Sequence, residues 1–269
     1  MTNQRSDVYT HGHHESVLRG HSWRTAANSA GYLLDVLEPG MRVLDVGCGP
    51  ATITLDLAEV VGPDGEVVGL EVAPDVLDVA RSNQAERGIT NVSFVEGSVY
   101  DLDYSDDSFD VTHAHQVLQH LSDPVAALAE MKRVTRPGGY VAVRDADYHA
   151  MVWYPPDPRL DAWMETYQAV ARRNDAEPDA GRYLLSWANA VGFDDVRPSG
   201  DVWIFATPDD RAWWGGQWVD RAVSSAFATQ AVEYGLATRS ELEEISAGFG
   251  DWSTKPDGWF ALLHGELLC

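Results

Sequence analysis

Cysteine, lysine and long apolar runs are all scarce in this 269-residue chain. Its two cysteines, Cys48 and Cys269, cannot form a disulfide framework or a cysteine zinc site. Cys48 sits inside a glycine turn, a position that asks for a small side chain, and no neighbour in sequence would act as its base. Lysine occurs only as Lys132 and Lys255, and 19 basic residues face 42 acidic ones, for a net charge of −23. A nucleic-acid partner needs a basic face and an anionic membrane repels acid, so both are excluded as expected partners. The acid is spread along the chain (DLDYSDD, PDPRLD, FDD, PDD) and reads as a well-solvated surface. No apolar run is long enough to span a membrane, and MTNQRSDVYTHGHH lacks the apolar core of a signal peptide, so a cytoplasmic location is expected. The interrupted HGHH stretch is too short for a tag.

Hydrophobic residues make up 45% of the chain, enough for a full core. From Ser22 to Leu37, apolar residues Ala26, Ala30, Leu33, Leu34 and Leu37 recur at helical spacing until EPG stops them. Strands and helices then alternate. Strands are expected at 42–47, 67–72, 92–99, 109–118 and 140–147. One helix carries Ile53, Leu57, Val60 and Val61. Another opens at Pro74, and a third at Asp123-Pro124, with Asp as cap, Pro at the first position and Val125, Leu128 and Ala129 facing inward. RPGG (136–139) should end that third helix. Such alternation implies a parallel sheet covered on both faces, with ligands beyond the carboxyl ends of its strands. The candidate positions are therefore Gly47–Ala51, Glu71, Ser98–Val99 and His115–Gln116.

After Asp147 the texture changes. Residues 148–258 hold eight of the ten tryptophans, including Trp153, Trp163, Trp213, Trp214 and Trp218. Within that stretch, 183–193 reads as a helix and 201–206 as a strand returning to the sheet. GWFALLHGELLC reads as a final edge strand. The organisation expected is 1–40 as a helical lid, 41–147 as the binding core, and 148–269 as a substrate cap plus completion of the sheet, in one structural domain.

The turn Gly47-Cys48-Gly49-Pro50-Ala51-Thr52 lacks the third glycine of the dinucleotide fingerprint, and Pro50 removes a backbone donor near the helix start. Glu71, at the end of the second strand, can still take both hydroxyls of a ribose. A nucleoside without phosphate fits better than a dinucleotide.

The segments VLDVGCGPA, GLEV, VEGSVYDL, FDVTHAHQVLQHLSDP and RVTRPGGYVAV, in this order across 41–147, resemble the class I S-adenosylmethionine-dependent methyltransferases. They are most similar to the ubiquinone and menaquinone methyltransferase branch. The resemblance implies a Rossmann-like, doubly wound, mostly parallel seven-stranded sheet with a helical lid and an insertion. It implies S-adenosyl-L-methionine as cofactor and in-line methyl transfer to a small, apolar or aromatic acceptor. Asp45, Gly47 and Gly49 would hold the methionine moiety, Glu71 the ribose, and Val72, Ser98 and Val99 the adenine. The family usually has Asp where Ser98 stands, and glycine where Ala51 stands, with its methyl narrowing the pocket. Arg24 would pair with the methionine carboxylate. His115 and Gln116 would lie near the sulfonium, with His115 the candidate catalytic base and His120 behind it. A non-methylating enzyme on the same scaffold and a catalytically silent interaction module are the alternatives. No zinc pattern is legible among the histidines; Asp145, Asp147 and His149, alternating at a strand end, form the one candidate for a divalent cation.

Overall fold

The computed structural model describes Asp7, Val8, Thr10 and residues 23–269. The HGHH stretch and Ser22 lie outside the described residues.

The N-terminal periodic run does not form one helix. Thr25 caps a single turn, α1 (Ala26–Ser29), and after a break at Ala30 a second turn follows, α2 (Gly31–Leu34). The apolar spacing was served by packing: Ala26, Ala30, Leu33 and Leu37 are all buried. The alternating region follows as β1 (Arg42–Val46), α3 (Thr52–Val61), β2 (Glu66–Glu71), α4 (Pro74–Arg87), β3 (Val92–Glu96) and β4 (Phe109–His115). A 3-10 turn at Leu118–His120 leads to α5 (Pro124–Val134) and β5 (Thr135–Ala146). Asp123 caps α5 by accepting from the Ala126 N–H. Its buried face is Ala127, Leu128, Met131 and Val134, so Ala129, expected inward, is exposed. Val60 of α3 is likewise exposed, while Ile53, Leu57 and Val61 are buried. RPGG does not end a helix: it lies within β5.

A second 3-10 turn (Tyr148–Ala150) precedes β6 (Val152–Tyr154), α6 (Pro158–Arg173), α7 (Ala180–Val191) and β7 (Arg197–Phe205). Then come α8 (Pro208–Ser224), α9 (Ala226–Glu233), α10 (Arg239–Ser253) and β8 (Trp259–Leu268). The sheet has eight strands, one more than expected, because the short β6 joins it. β3, β2, β1, β4 and β5 are parallel, and β8 is antiparallel to β5. β7 pairs with β8 along its full length, so β7 is the edge. β5 and β6 share the other side of β8, at its carboxyl and amino halves. The last strand is therefore interior, which corrects the edge assignment.

Alternate residues of the parallel strands feed two cores. Leu44, Val46, Val68, Leu70 and Val143 pack on one face, and Val43, Val67, Val111 and Ala142 on the other. The aromatic segment after Asp147 builds a third core around Trp163, Trp218, Phe249 and Phe260, under α6, α8 and α10. No helix of the described residues is long and apolar enough to cross a membrane.

Candidate active site

The turn after β1 is made of left-handed backbone. Gly47, Gly49 and Ala51 have φ of 66°, 54° and 67°. At Gly47 glycine is required twice over, since a Cβ there would also lie 2.5 Å from Cγ2 of Val117. Ala51 adopts the same conformation with its methyl buried in the core beneath α3, away from the cavity, so it does not narrow the pocket. Just before the turn, buried Asp45 accepts from Thr54 Oγ1 at 2.6 Å and lies 2.7 Å from His113 Nδ1. Each of its oxygens is thereby held, and the turn leaves β1 in a fixed direction. Cys48 is buried and accepts no catalytic reading: burial, followed by the charges of Asp45 and Glu71, raises its thiol far above the ordinary range.

Glu71 lies across this turn. Its carboxylate accepts from the N–H groups of Gly49 (3.2 Å), Val72 (2.8 Å) and Ala73 (3.2 Å). Beside it Val72 is 64% exposed, Val99 is buried, and Ser98 Oγ accepts from the Tyr100 N–H. All of them line one cavity with Asp45, Gly47 and Gly49.

At the end of β4 the chain turns through Gln116, with φ 54°. Its Oε1 accepts from Arg24, which can only donate. The amide nitrogen therefore faces His264 Nε2, 2.8 Å away, and that ring nitrogen must be the unprotonated acceptor. The proton then sits on Nδ1, directed to the Leu262 carbonyl. Arg144 Nη2, 3.2 Å from Nδ1, is a neighbour there and not its donor; Glu266 and Asp201 hold that guanidinium. A polar relay thus runs from β8 through Gln116 to Arg24.

His115 is buried, and neither ring nitrogen has a hydrogen-bond partner among the described residues. Burial first, then the charges of Arg24 and Arg144, hold its pKa well below the usual histidine value, so the ring is neutral. His120 also lines the cavity, and burial pushes it down to about 3. Gln119 Nε2 lies 3.1 Å from its Nε2.

The cavity, of about 710 Å³, continues past His115 to Tyr148, Trp203, Trp214, Arg221 and Leu262. Trp203 donates its indole N–H to the Asn28 carbonyl at 2.7 Å and meets Trp23 edge to face at 5.0 Å. This anchors the N-terminal segment on the cap. Trp214 stacks on Phe205 at 4.6 Å, and its buried N–H has no partner among the described residues. The sequence reading missed this wall. The signal available was the tryptophan density after Asp147.

The suggested cation site dissolves. β5 ends at Ala146, Asp147 is bound by Arg182 through both carboxylate oxygens at 2.6 Å, and the backbone N–H of His149 donates to Asp179 Oδ1 at 2.8 Å. Asp145 accepts from the Gln119 N–H, and its burial raises its pKa to about 8. Among the described residues no group of three or more His, Cys, Asp or Glu could hold a metal ion.

A left-handed strand-end turn facing a carboxylate at the end of the next strand, on a doubly wound sheet, defines a nucleoside-binding α/β enzyme. The chain belongs to the methyltransferase family: the family model described as "Methyltransferase domain" matches residues 37–193. It is 33% identical over 268 residues to an uncharacterized methyltransferase of Schizosaccharomyces pombe, covering 97% of this chain and 95% of that one. A demethylmenaquinone methyltransferase of Geobacillus kaustophilus is 41% identical over 103 residues, 38% of this chain and 44% of that one, so this likeness is confined to part of each. A putative methyltransferase from Bacillus halodurans shares the fold, with a TM-score of 0.56 at 17% identity over 89% of this chain and 96% of that one. The protein is an S-adenosylmethionine-dependent methyltransferase, and S-adenosylmethionine is its cofactor.

Proposed function

We propose that the acceptor is a small aromatic molecule carrying an acidic hydroxyl, and that His115 takes its proton as the methyl group moves. The observation that carries this reading is a pair of unsatisfied buried groups in one aromatic cavity, the His115 ring and the Trp214 N–H. Buried polar groups are almost always paired, so an oxygen-bearing ligand between these walls is the natural partner. A neutral ring is the form that accepts a proton, and its low basicity suits a phenol better than an aliphatic alcohol. Trp203, Trp214 and Tyr148 offer ring faces to such an acceptor.

The residues on the other side fit the cofactor. Glu71 would take the ribose hydroxyls, Val72 and Val99 would sandwich the adenine with Ser98 at its edge, and the Gly47–Gly49 turn would approach the methionine moiety through backbone. Arg24, oriented by Gln116, would pair with the methionine carboxylate. Asp45 acts behind the turn, since Thr54 and His113 already hold it. S-adenosylmethionine, when bound, supplies a methyl group on a sulfonium that leaves neutral. The chain's own task is to align the acceptor, exclude water and hold the released proton. Trp23, Arg24 and Asn28 bring the N-terminal segment over the cavity, which supports a lid role for it.

Calorimetric titration with S-adenosylmethionine tests the cofactor side. The wild type binds saturably, and Glu71→Ala weakens binding by about a hundredfold or more, as expected for two charge-assisted bonds. An unchanged Glu71→Ala titration would contradict these assignments.

A further inference from the structure

At the β6–β8–β7 end of the sheet one face carries a run of exposed apolar side chains. Partners across strands place their side chains on the same side of a sheet. The register pairs Tyr154 with Trp259, Ala261 with both Val152 and Ile204, and Leu263 with Val202. Apart from Ala261, every member of this ladder is 37–53% exposed: Val152, Tyr154, Val202, Ile204, Trp259 and Leu263. The intervening residues Trp203, Phe205, Phe260 and Leu262 point the other way, into the aromatic core. α7 begins over Gly265, where a Cβ would lie 2.1 Å from the Gly181 carbonyl oxygen, and so covers the same face only from that point.

We propose that this face packs against the same face of a second copy of the chain about a two-fold axis. Three features select that occupant. The ladder contains no charged residue in a protein of net charge −23, so it is a part of the surface where two copies can meet hydrocarbon to hydrocarbon without opposing like charges in the contact. The surface is a flat sheet face spanning three strands, the shape that a second sheet face matches, and a two-fold axis makes one such ladder complementary to itself. At roughly 150–250 Å² per large side chain, the exposed fractions leave roughly 400–600 Å² of apolar surface per protomer. Two such faces bury about 1,000 Å², the size at which a specific interface begins. Val202 and Ile204 flank Trp203 along β7, so the contact would also stiffen the acceptor wall from behind.

Sedimentation velocity with light scattering tests this on the full chain, from micromolar to submillimolar protein. The wild type is expected at twice the protomer mass, and Ile204→Glu and Tyr154→Lys are each expected at the protomer mass. Both variants should keep the wild-type circular dichroism and S-adenosylmethionine titration, since neither residue lines the cavity. A wild type that stays monomeric throughout the range overturns the proposal. So does a dimer that both variants leave intact.

Discussion

From Asp45 to Gln116 the cavity wall combines a glycine turn and hydrogen-bonded polar groups with aliphatic side chains such as Val46, Leu70, Val72 and Val99. From Tyr148 to Leu262 it is built of three large rings, with Arg221 and Leu262 beside them, and fixed by ring packing and the Trp203 bond to Asn28. On the assignment proposed above, the difference follows from what each wall would meet. A cofactor with a ribose and an amino-acid tail demands donors and acceptors at set places, which strand ends and a left-handed turn provide. An aromatic acceptor demands area and shape, which large rings provide with few directional constraints. The two walls meet at His115, whose ring nitrogens, like the Trp214 N–H, find no hydrogen-bond partner among the described residues.

The contrast predicts that cap substitutions cost stability while turn substitutions cost binding. The largest effect is expected from Trp163→Ala. Trp163 is fully buried, with Trp218 and Phe249 at 4.6 and 5.1 Å, and its truncation should remove about 4 kcal/mol of stability. Urea unfolding measures that loss, and the molecules that remain folded should titrate with S-adenosylmethionine as the wild type does.

Acid comes next. His115, His120 and His264 have folded-state pKa values held below the unfolded value near 6.5. As the pH falls below 6.5 the unfolded chain takes up protons that the folded chain refuses, so stability falls. Asp145 works in the opposite sense: its folded pKa is raised to about 8, so its contribution is full below the unfolded carboxyl value and is lost as the pH rises to 8. Three groups against one make the net effect a loss of stability as the pH falls below 6.5. Denaturation across this range should therefore place the optimum near 6.5, and Asp145→Asn should steepen the acid side while stabilising the protein at pH 7.

His115→Gln sharpens the comparison at the boundary. With any acceptor that turns over, kcat should fall by about a hundredfold, while the cofactor titration stays unchanged. The smallest effect belongs to the relay. His264→Leu leaves the Gln116 amide without its acceptor and frees it to rotate, so cofactor affinity should fall by about tenfold, and His264→Gln should recover part of it.

The turn after β1 and the carboxylate at the end of β2 were legible in the sequence because short-range geometry sets them. Positive φ at Gly47, a carboxylate at a strand end and Pro at a helix start are local demands, and they appear as residue types at set spacings. The break at Ala30 was not legible, because buried alanines and leucines recur at the same spacing in one helix or in two packed turns. The order of the last strands did leave a trace. β8 is nearly continuously apolar, as a strand with neighbours on both sides is, while β7 alternates only at its end, as an edge strand does. Trp203 and Trp214 could not be assigned to the cavity from sequence, since a tryptophan facing a core and one facing a ligand look alike until the cap is folded.

Hydrogen–deuterium exchange with and without S-adenosylhomocysteine tests the division between the walls most directly. Protection is predicted in peptides covering Gly47–Ile53, Glu71–Val76, Glu96–Tyr100 and His115–Leu121, with α6, α8 and α10 unchanged. Protection concentrated in those cap helices, with the turn after β1 unaffected, would contradict the account.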